Sequence, residues 1–318
     1  MEFKNITCYG SGLIGTGWAT NFLMQGLKVT LYDISEELFP LATERILSNL
    51  NFLMNEGVYT PAQVAGFMAA FSTTSDPAAA LKYADFVQEN GPENLELKRK
   101  IVETIEVYAR PDAVIASSTS GLNISDIVAN AKHPERFVGG HPYNPVFLIP
   151  LVELTLGQKT DPRVLDRALA FYKGLQKEPV VLRQEAPGFI ANRLQAAIVR
   201  EAADLVLRGV CTVEEVDKAM LFGPGLRWGL LGPLTVNELA GGKLGISGAI
   251  RHMGVTMTKW FEDMGSWTAF PDAYVENIQD WMDAALANRD PRHGRTSEEI
   301  TAFRDKGLVT LLKYHNKF

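Results

Sequence analysis

The chain reads as an α/β protein: a doubly wound parallel sheet at the N-terminal end, then an all-helical region. Three observations carry that reading. A strand, a glycine-rich turn, a helix and a second strand occupy the first 33 residues. Strand-like and helix-like segments then alternate as far as Leu182. Beyond Ala186-Pro187-Gly188-Phe189 no segment reads as a strand. A length of 318 residues implies about two domains, which divide here as 1–187 and 188–318.

Each element follows from local pattern. Ile6-Thr7-Cys8-Tyr9 is a short buried strand, and Thr16 to Gln25 a helix ended by Gly26. Val29 to Tyr32 is the second strand, closed by Asp33. Phe39 to about Ala70 reads as two helices broken near Gly57 and Pro61. Further strands are Phe86–Gln88, Val114–Ala116, Phe137–His141, Val152–Thr155 and Val180–Leu182. Helices span Lys98–Tyr108 and Pro162–Gly174. In the second half, apolar residues at Ile190, Leu194, Ala197, Ile198 and Leu205 mark a long helix. Thr212 with Glu215 three residues on forms a capping box for the next.

Gly10-Ser11-Gly12-Leu13-Ile14-Gly15 is G-x-G-x-x-G, a weak pattern alone. Here it follows a strand, opens a helix, and has Asp33 at the end of the next strand, which makes the sheet Rossmann-type. Gly10 permits the turn, Gly12 lets the backbone approach a pyrophosphate, and Gly15 lets helix and strand pack closely. The helix start, with Leu13 and Ile14, turns free N–H groups to the phosphates. Asp33 accepts hydrogen bonds from the adenosine ribose. A 2′-phosphate there meets a carboxylate and no arginine, so NAD is favoured over NADP.

Composition excludes several classes. Hydrophobic residues are 46% and charged residues 21%, ordinary for a globular chain, and the formal net charge is −6. No basic face for nucleic acid or anionic lipid is evident. No apolar run approaches the roughly 18 residues of a membrane span, and no leader pattern precedes the first strand. Cys8 and Cys211 lie far apart, without disulfide or zinc spacing, so no metal site is expected and the compartment is cytoplasmic.

Among five histidines His141 stands apart. It ends an apolar strand and begins His141-Pro142-Tyr143-Asn144-Pro145, where open sheets bind ligands. Glu153 lies in the apolar run Ile149–Leu154 and needs a partner. A histidine N–H satisfies it, and a carboxylate so placed favours the protonated ring. That is a general base for oxidising an alcohol. The alternative is a structural histidine at a proline-fixed turn, with Glu153 satisfied by backbone groups.

Five motifs together resemble the 3-hydroxyacyl-CoA dehydrogenase family over nearly the whole chain. They are the glycine turn, Pro92-Glu93-Asn94-Leu95-Glu96-Leu97-Lys98, Ser117-Ser118-Thr119-Ser120, Gly140-His141-Pro142-Tyr143-Asn144-Pro145, and Pro187-Gly188-Phe189-Ile190-Ala191-Asn192-Arg193. The resemblance implies a catalytic His141–Glu153 pair, Ser120 and Asn192 on the substrate oxygens, and Glu93 and Lys98 near the nicotinamide-side ribose. Ser118 is grouped with the cofactor residues. It also implies a helical domain that dimerises. Ser120 and Asn192 are neutral donors, which polarise a developing carbonyl without repelling NAD⁺. Read singly, Ser120 is also a turn serine, Asn192 a cap and Lys98 a solvated helix charge.

The same resemblance bears on substrate. Acyl-CoA members carry basic residues on the helices after the second strand; between Lys28 and Lys82 this chain has Arg45 alone, among Glu36, Glu37, Glu44 and Glu56. Phe222-Gly223-Pro224-Gly225-Leu226-Arg227-Trp228 and Leu231-Gly232-Pro233 look like the branch with lambda-crystallin, L-gulonate 3-dehydrogenase and L-carnitine dehydrogenase, which act on small free 3-hydroxy acids, and Leu239-Ala240-Gly241-Gly242-Lys243-Leu244-Gly245 looks more like the carnitine enzymes. The late aromatics Trp260, Phe261, Trp267, Phe270, Tyr274 and Trp281 favour a trimethylammonium group over a polyol. Tyr143, Phe222 and Trp228 are candidates for a cage, with Asn144 beside them, and Arg227 for the substrate carboxylate. Core or dimer interface is the competing role for these aromatics, an ion pair for Arg227, and a non-catalytic NAD-binding protein for the chain.

Overall fold

A strand covered on both faces must hide every side chain or bond it. β1 (Asn5–Tyr9) meets that demand: Ile6 and Cys8 enter one core and Tyr9 the other, while Thr7 donates its hydroxyl to the Ala80 carbonyl at 2.5 Å. The computed structural model describes residues 2–318. After β1 come α1 (Leu13–Met24), β2 (Lys28–Tyr32), α2 (Phe39–Asn55), α3 (Pro61–Ala69), β3 (Phe71–Thr74) and α4 (Pro77–Leu81). Then follow β4 (Phe86–Glu89), α5 (Leu95–Tyr108), β5 (Val114–Ser117), α6 (Ile124–Ile127), β6 (Phe137–Pro142), β7 (Leu151–Leu156), α7 (Pro162–Gly174) and β8 (Glu178–Leu182). The remaining helices are α8 (Ala191–Leu207), α9 (Val213–Phe222), α10 (Pro224–Trp228), α11 (Pro233–Ala240), α12 (Gly245–Asp263), α13 (Asp272–Asn288) and α14 (Ser297–Tyr314).

The eight strands form one sheet, ordered β3-β2-β1-β4-β5-β6-β7-β8. β1 to β6 pair in parallel, β7 runs antiparallel to β6, and β8 is parallel to β7. The doubly wound reading therefore holds with one reversal, at β7. Trp18, Phe22, Ile46, Leu50 and Phe171 from α1, α2 and α7 fill one core. Leu81, Ile101, Ile105 and Ile124 from α4, α5 and α6 fill the other. Trp18 stacks on Phe22 at 5.2 Å, and Phe86 packs on Phe171 at 4.6 Å. The polar edge strand β3 escaped the sequence reading because Ser72, Thr73 and Thr74 leave it no apolar run.

The chain divides into two compact units, one running to Ala191 and taking back Leu308–Phe318, the other Asn192–Gly307. The sequence division put all of 188–318 in the second domain. The end of α14 differs because Val309 and Leu312, 1% and 6% exposed, belong to the first unit's core. In the second unit, Thr212 and Glu215 form the expected capping box on α9. Among the described residues of that unit, Ala203, Val213 and Ala249 are its only buried hydrophobic side chains. Leu234, Leu244, Val255 and Phe261 are exposed. No helix of the described residues is long and apolar enough to cross a membrane.

Candidate active site

Because β1, β2, β4, β5 and β6 are parallel, their carboxyl ends share one edge of the sheet. Strand order reverses between β1 and β4, which opens a crevice there. A cavity of about 510 Å³ fills it, lined by Gly10, Gly12, Asp33 and Asn90 among others. Two of the turn's glycines answer to the protein itself. Gly10 has φ +109°, and a Cβ on it would lie 2.8 Å from the Asn90 carbonyl oxygen. A Cβ on Gly15 would lie 1.9 Å from the Gly10 carbonyl oxygen. Gly12 is different: its φ is −66°, and a Cβ there would meet nothing within 4 Å. Its missing side chain keeps open the space before the first N–H groups of α1, at Leu13 and Ile14. A pyrophosphate fits that space.

Asp33 stands at the end of β2 as expected. Its Oδ2 accepts from the Ser11 N–H at 2.7 Å and the Ser11 hydroxyl at 2.6 Å, and its Oδ1 from the Ile34 N–H at 2.8 Å. Ser11, a variable position of the motif, thus aims the carboxylate, a role the motif does not encode. Arg45 of α2 lines the same cavity. The expectation of no arginine there is corrected, since α2 brings Arg45 to the cavity that Asp33 lines.

Lys98 is no solvated helix charge. It is 1% exposed, and its ammonium donates to both Glu89 carboxylate oxygens and the Gly91 carbonyl, each at 3.0 Å. Glu93 Oε2 lies 3.8 Å away. Glu93 Oε1 accepts from the Thr119 hydroxyl at 2.7 Å, the Ser120 N–H at 2.9 Å, the Ser120 hydroxyl at 3.3 Å and the Gly121 N–H at 3.0 Å. Partial burial alone raises the Glu93 pKa. The Thr119 hydroxyl, the Lys98 charge and the two N–H groups outweigh it and hold the carboxyl below its ordinary range. The pair thus braces the Ser120 turn. The Ser118 hydroxyl is held among Trp18 (3.2 Å), Gln88 (2.8 Å) and Asn90 (2.8 Å), an internal role the sequence grouping with the cofactor did not foresee.

The reversal at β7 builds the central pair. Antiparallel register sets His141 directly opposite Glu153. His141 Nδ1 lies 2.8 Å from Glu153 Oε2, with the glutamate fully buried and His141 7% exposed. Glu153 Oε1 accepts the Ile190 and Ala191 N–H groups at 2.8 and 2.9 Å. Burial works to raise the Glu153 pKa, but the hydrogen bonds from His141, Ala191 and Ile190 and the His141 charge hold it below the usual range. An ionised carboxylate only accepts, so Nδ1 donates, and in the neutral ring Nε2 then carries the lone pair. Glu153 is thus satisfied by both the histidine and backbone groups. The Phe189 ring lies against the imidazole at 5.4 Å and the Tyr143 ring at 5.9 Å. Phe189 reaches it through a left-handed turn, with φ +73° at Gly188 and +51° at Phe189. No local pattern announces a phenylalanine there.

The lowered Glu153 pKa has a consequence for stability. Its ionised form stabilises the fold above its unfolded pKa of about 4.3, and that contribution is lost as pH falls through the lower folded value. The urea midpoint of the native protein should exceed that of Glu153→Gln by most above about pH 5, the gap closing as pH falls below about 4. A gap independent of pH would contradict an ionised Glu153.

Of the other candidates, Asn144 is exposed in the β6–β7 connection. Asn192 is the second residue of α8 and opens the second unit. Phe222 ends α9, and Arg227 and Trp228 end α10. All three are exposed, Phe222 at 62%. Trp267, Phe270, Tyr274 and Trp281 form a ladder with centroid spacings of 5.2, 5.6 and 6.3 Å. Helical spacing along α13 sets Tyr274 and Trp281 on one face, so these rings pack on one another.

Residues 5–186 match the family model of the 3-hydroxyacyl-CoA dehydrogenase NAD binding domain, and 188–280 that of the 3-hydroxyacyl-CoA dehydrogenase C-terminal domain. The chain belongs to the 3-hydroxyacyl-CoA dehydrogenase family. It is an NAD-dependent oxidoreductase acting on a CH–OH group. Among its relatives, a 3-hydroxyacyl-CoA dehydrogenase of Gibberella moniliformis is 40% identical over 83% of this chain and 81% of its own. An L-carnitine dehydrogenase of Oceanobacillus iheyensis is 38% identical over 97% of each chain. Among solved structures, 5-formyl-3-hydroxy-2-methylpyridine 4-carboxylic acid 5-dehydrogenase, an NAD⁺-dependent dismutase, matches with a TM-score of 0.80. It is 28% identical, over 98% of this chain and 97% of that one.

Proposed function

We propose that this family member oxidises the 3-hydroxyl of a small free 3-hydroxy acid, with L-carnitine giving 3-dehydrocarnitine as the first reading. The His141–Glu153 pair carries the proposal. With Nδ1–H donated to Glu153, Nε2 takes the proton of the substrate hydroxyl. The Glu153 charge stabilises the imidazolium that forms, and the Ile190 and Ala191 N–H groups keep that carboxylate in place. Ser120, its turn braced by Glu93 and Lys98, and Asn192 act as neutral donors to the substrate oxygen. Bound NAD⁺ supplies the acceptor for the hydride that leaves the same carbon. Gly12, the start of α1 and Asp33 would hold it.

The absence of a CoA anchor supports a free acid. From Val29 to Leu81 the one basic side chain is Arg45, and it lines the dinucleotide cavity. A ligand with several phosphate charges finds little attraction on α2 or α3. The L-carnitine dehydrogenase relative, alike over nearly both full chains, supports the choice of acid. Tyr143 beside His141 offers an aromatic face to a trimethylammonium group, and Arg227 is the candidate for the carboxylate. The reading extends to a cytoplasmic homodimer. Cys8 and Cys211 are unpaired thiols, and a second copy would cover the apolar side chains that the second unit leaves exposed.

The test is NADH formation from NAD⁺ with L-carnitine, D-carnitine, L-gulonate, L-3-hydroxybutyrate and 3-hydroxybutyryl-CoA. L-Carnitine should exceed the others in kcat/KM by at least about tenfold, some 1.4 kcal/mol of selective transition-state binding. Preference for L-gulonate or L-3-hydroxybutyrate would keep the mechanism and discard the trimethylammonium site. Preference for the thioester, the substrate class named in the Gibberella relative, would overturn the free-acid reading.

A further inference from the structure

His141 and Glu153 lie on adjacent strands joined by residues 143–150. Their 2.8 Å contact depends on the pairing of the two strands, which that connection joins. Lys177, immediately before β8, is built into it. Its side chain is 4% exposed, yet its ammonium donates to the Val146 carbonyl at 2.5 Å and the Ile149 carbonyl at 2.9 Å. Its remaining side lies over the Trp18 ring, 5.2 Å from the centroid. Among the described residues no carboxylate forms an ion pair with it. A buried ammonium without a counter-ion is costly, and burial pushes its pKa down to about 7. An apolar residue of the same length would fill the space without that cost, so the charge answers to the two carbonyls.

Those carbonyls belong to the turn, and the turn is docked on α1. A Cβ on Gly17 would lie 2.8 Å from the Val146 Cβ. Trp18, which carries the ammonium on its ring, donates its indole N–H to the Ser118 hydroxyl on the cofactor side of the sheet. We infer that Lys177 is a positioning residue for the general base: its ammonium clamps the turn at Val146 and Ile149 and so fixes the register of His141 against Glu153. The inference rests on His141 being the base.

Lys177→Met removes the charge and keeps the stem; Lys177→Gln keeps a neutral donor and serves should the Met variant not fold. Lys177→Arg restores the charge. In the folded neutral variant, kcat for L-carnitine, or for whichever panel acid is turned over, should fall at least tenfold. KM for NAD⁺ should stay within twofold, and Lys177→Arg should recover most of the loss. Imidazole ¹⁵N spectra need no substrate. The His141 signals, assigned by their loss in His141→Ala, should show the Nδ1-protonated tautomer in the native protein and a mixture in the neutral variant. An unchanged kcat and an unchanged His141 tautomer in a folded neutral variant would overturn the inference. So would a KM for NAD⁺ that rises as much as kcat falls. A His141→Ala variant with full activity would instead remove the base itself, and the two failures are separate.

Discussion

His141→Gln should lower kcat by about 10²–10⁴-fold, the usual range for a general base removed from its site. Glutamine, whose amide stands where Nε2 does, fills the space of the ring but has no lone pair that takes a proton near neutral pH. The comparison with His141→Ala separates chemistry from folding. Alanine takes the His141 donor from Glu153, which is fully buried, and leaves it the Ile190 and Ala191 N–H groups. It also leaves a void beside the Phe189 and Tyr143 rings. His141→Ala should therefore melt lower than His141→Gln, and both should bind NAD with near-native affinity. Either variant retaining the native rate would exclude His141 as the base.

Gly12→Ala and Gly15→Ala, three residues apart in one turn, should fail in different ways. The methyl on Gly15 falls 1.9 Å from the Gly10 carbonyl oxygen, a backbone atom that no rotamer change moves. The turn must open, and stability should drop by about 1–3 kcal/mol or more. The methyl on Gly12 meets no protein atom within 4 Å, and φ −66° suits any residue. Its melting should stay within about 1 kcal/mol of native, while its Kd for NAD rises at least about tenfold. Titration by quenching of protein fluorescence and thermal melts of both variants check this. Native NAD affinity in Gly12→Ala would mean that the pyrophosphate does not lie over this turn.

The legible and the illegible parts of the site divide along a physical line. The glycine turn, Asp33 and the capping box at Thr212 depend on residues a few positions apart, and each stands where its spacing put it. His141 and Glu153 were readable as a pair because a carboxylate in an apolar run needs a partner. The reversal of β7 that sets them face to face was not, since a strand's pattern is the same in either direction. Lys98 looked like a helix surface charge because its partner Glu89 sits on another element, the strand β4. Phe189 and Lys177 look like ordinary apolar and basic residues until the turn at Gly188 and the connection 143–150 are folded around them.

The late aromatics show the same limit from the other side. Their composition pointed to a cation site, but composition does not say which ring faces which. Trp267, Phe270, Tyr274 and Trp281 pack on one another, tilted, stacked and edge-on in turn. From the sequence alone came the α/β class, the dinucleotide turn and the acid that follows it, because backbone period and steric freedom act within a few residues. The folded structure alone settled the direction of β7, the bracing of Ser120 through Glu93 and the bonding of Lys177 to the Val146 and Ile149 carbonyls. Those rest on contacts between residues far apart in the chain, where burial and hydrogen-bond satisfaction choose the partner.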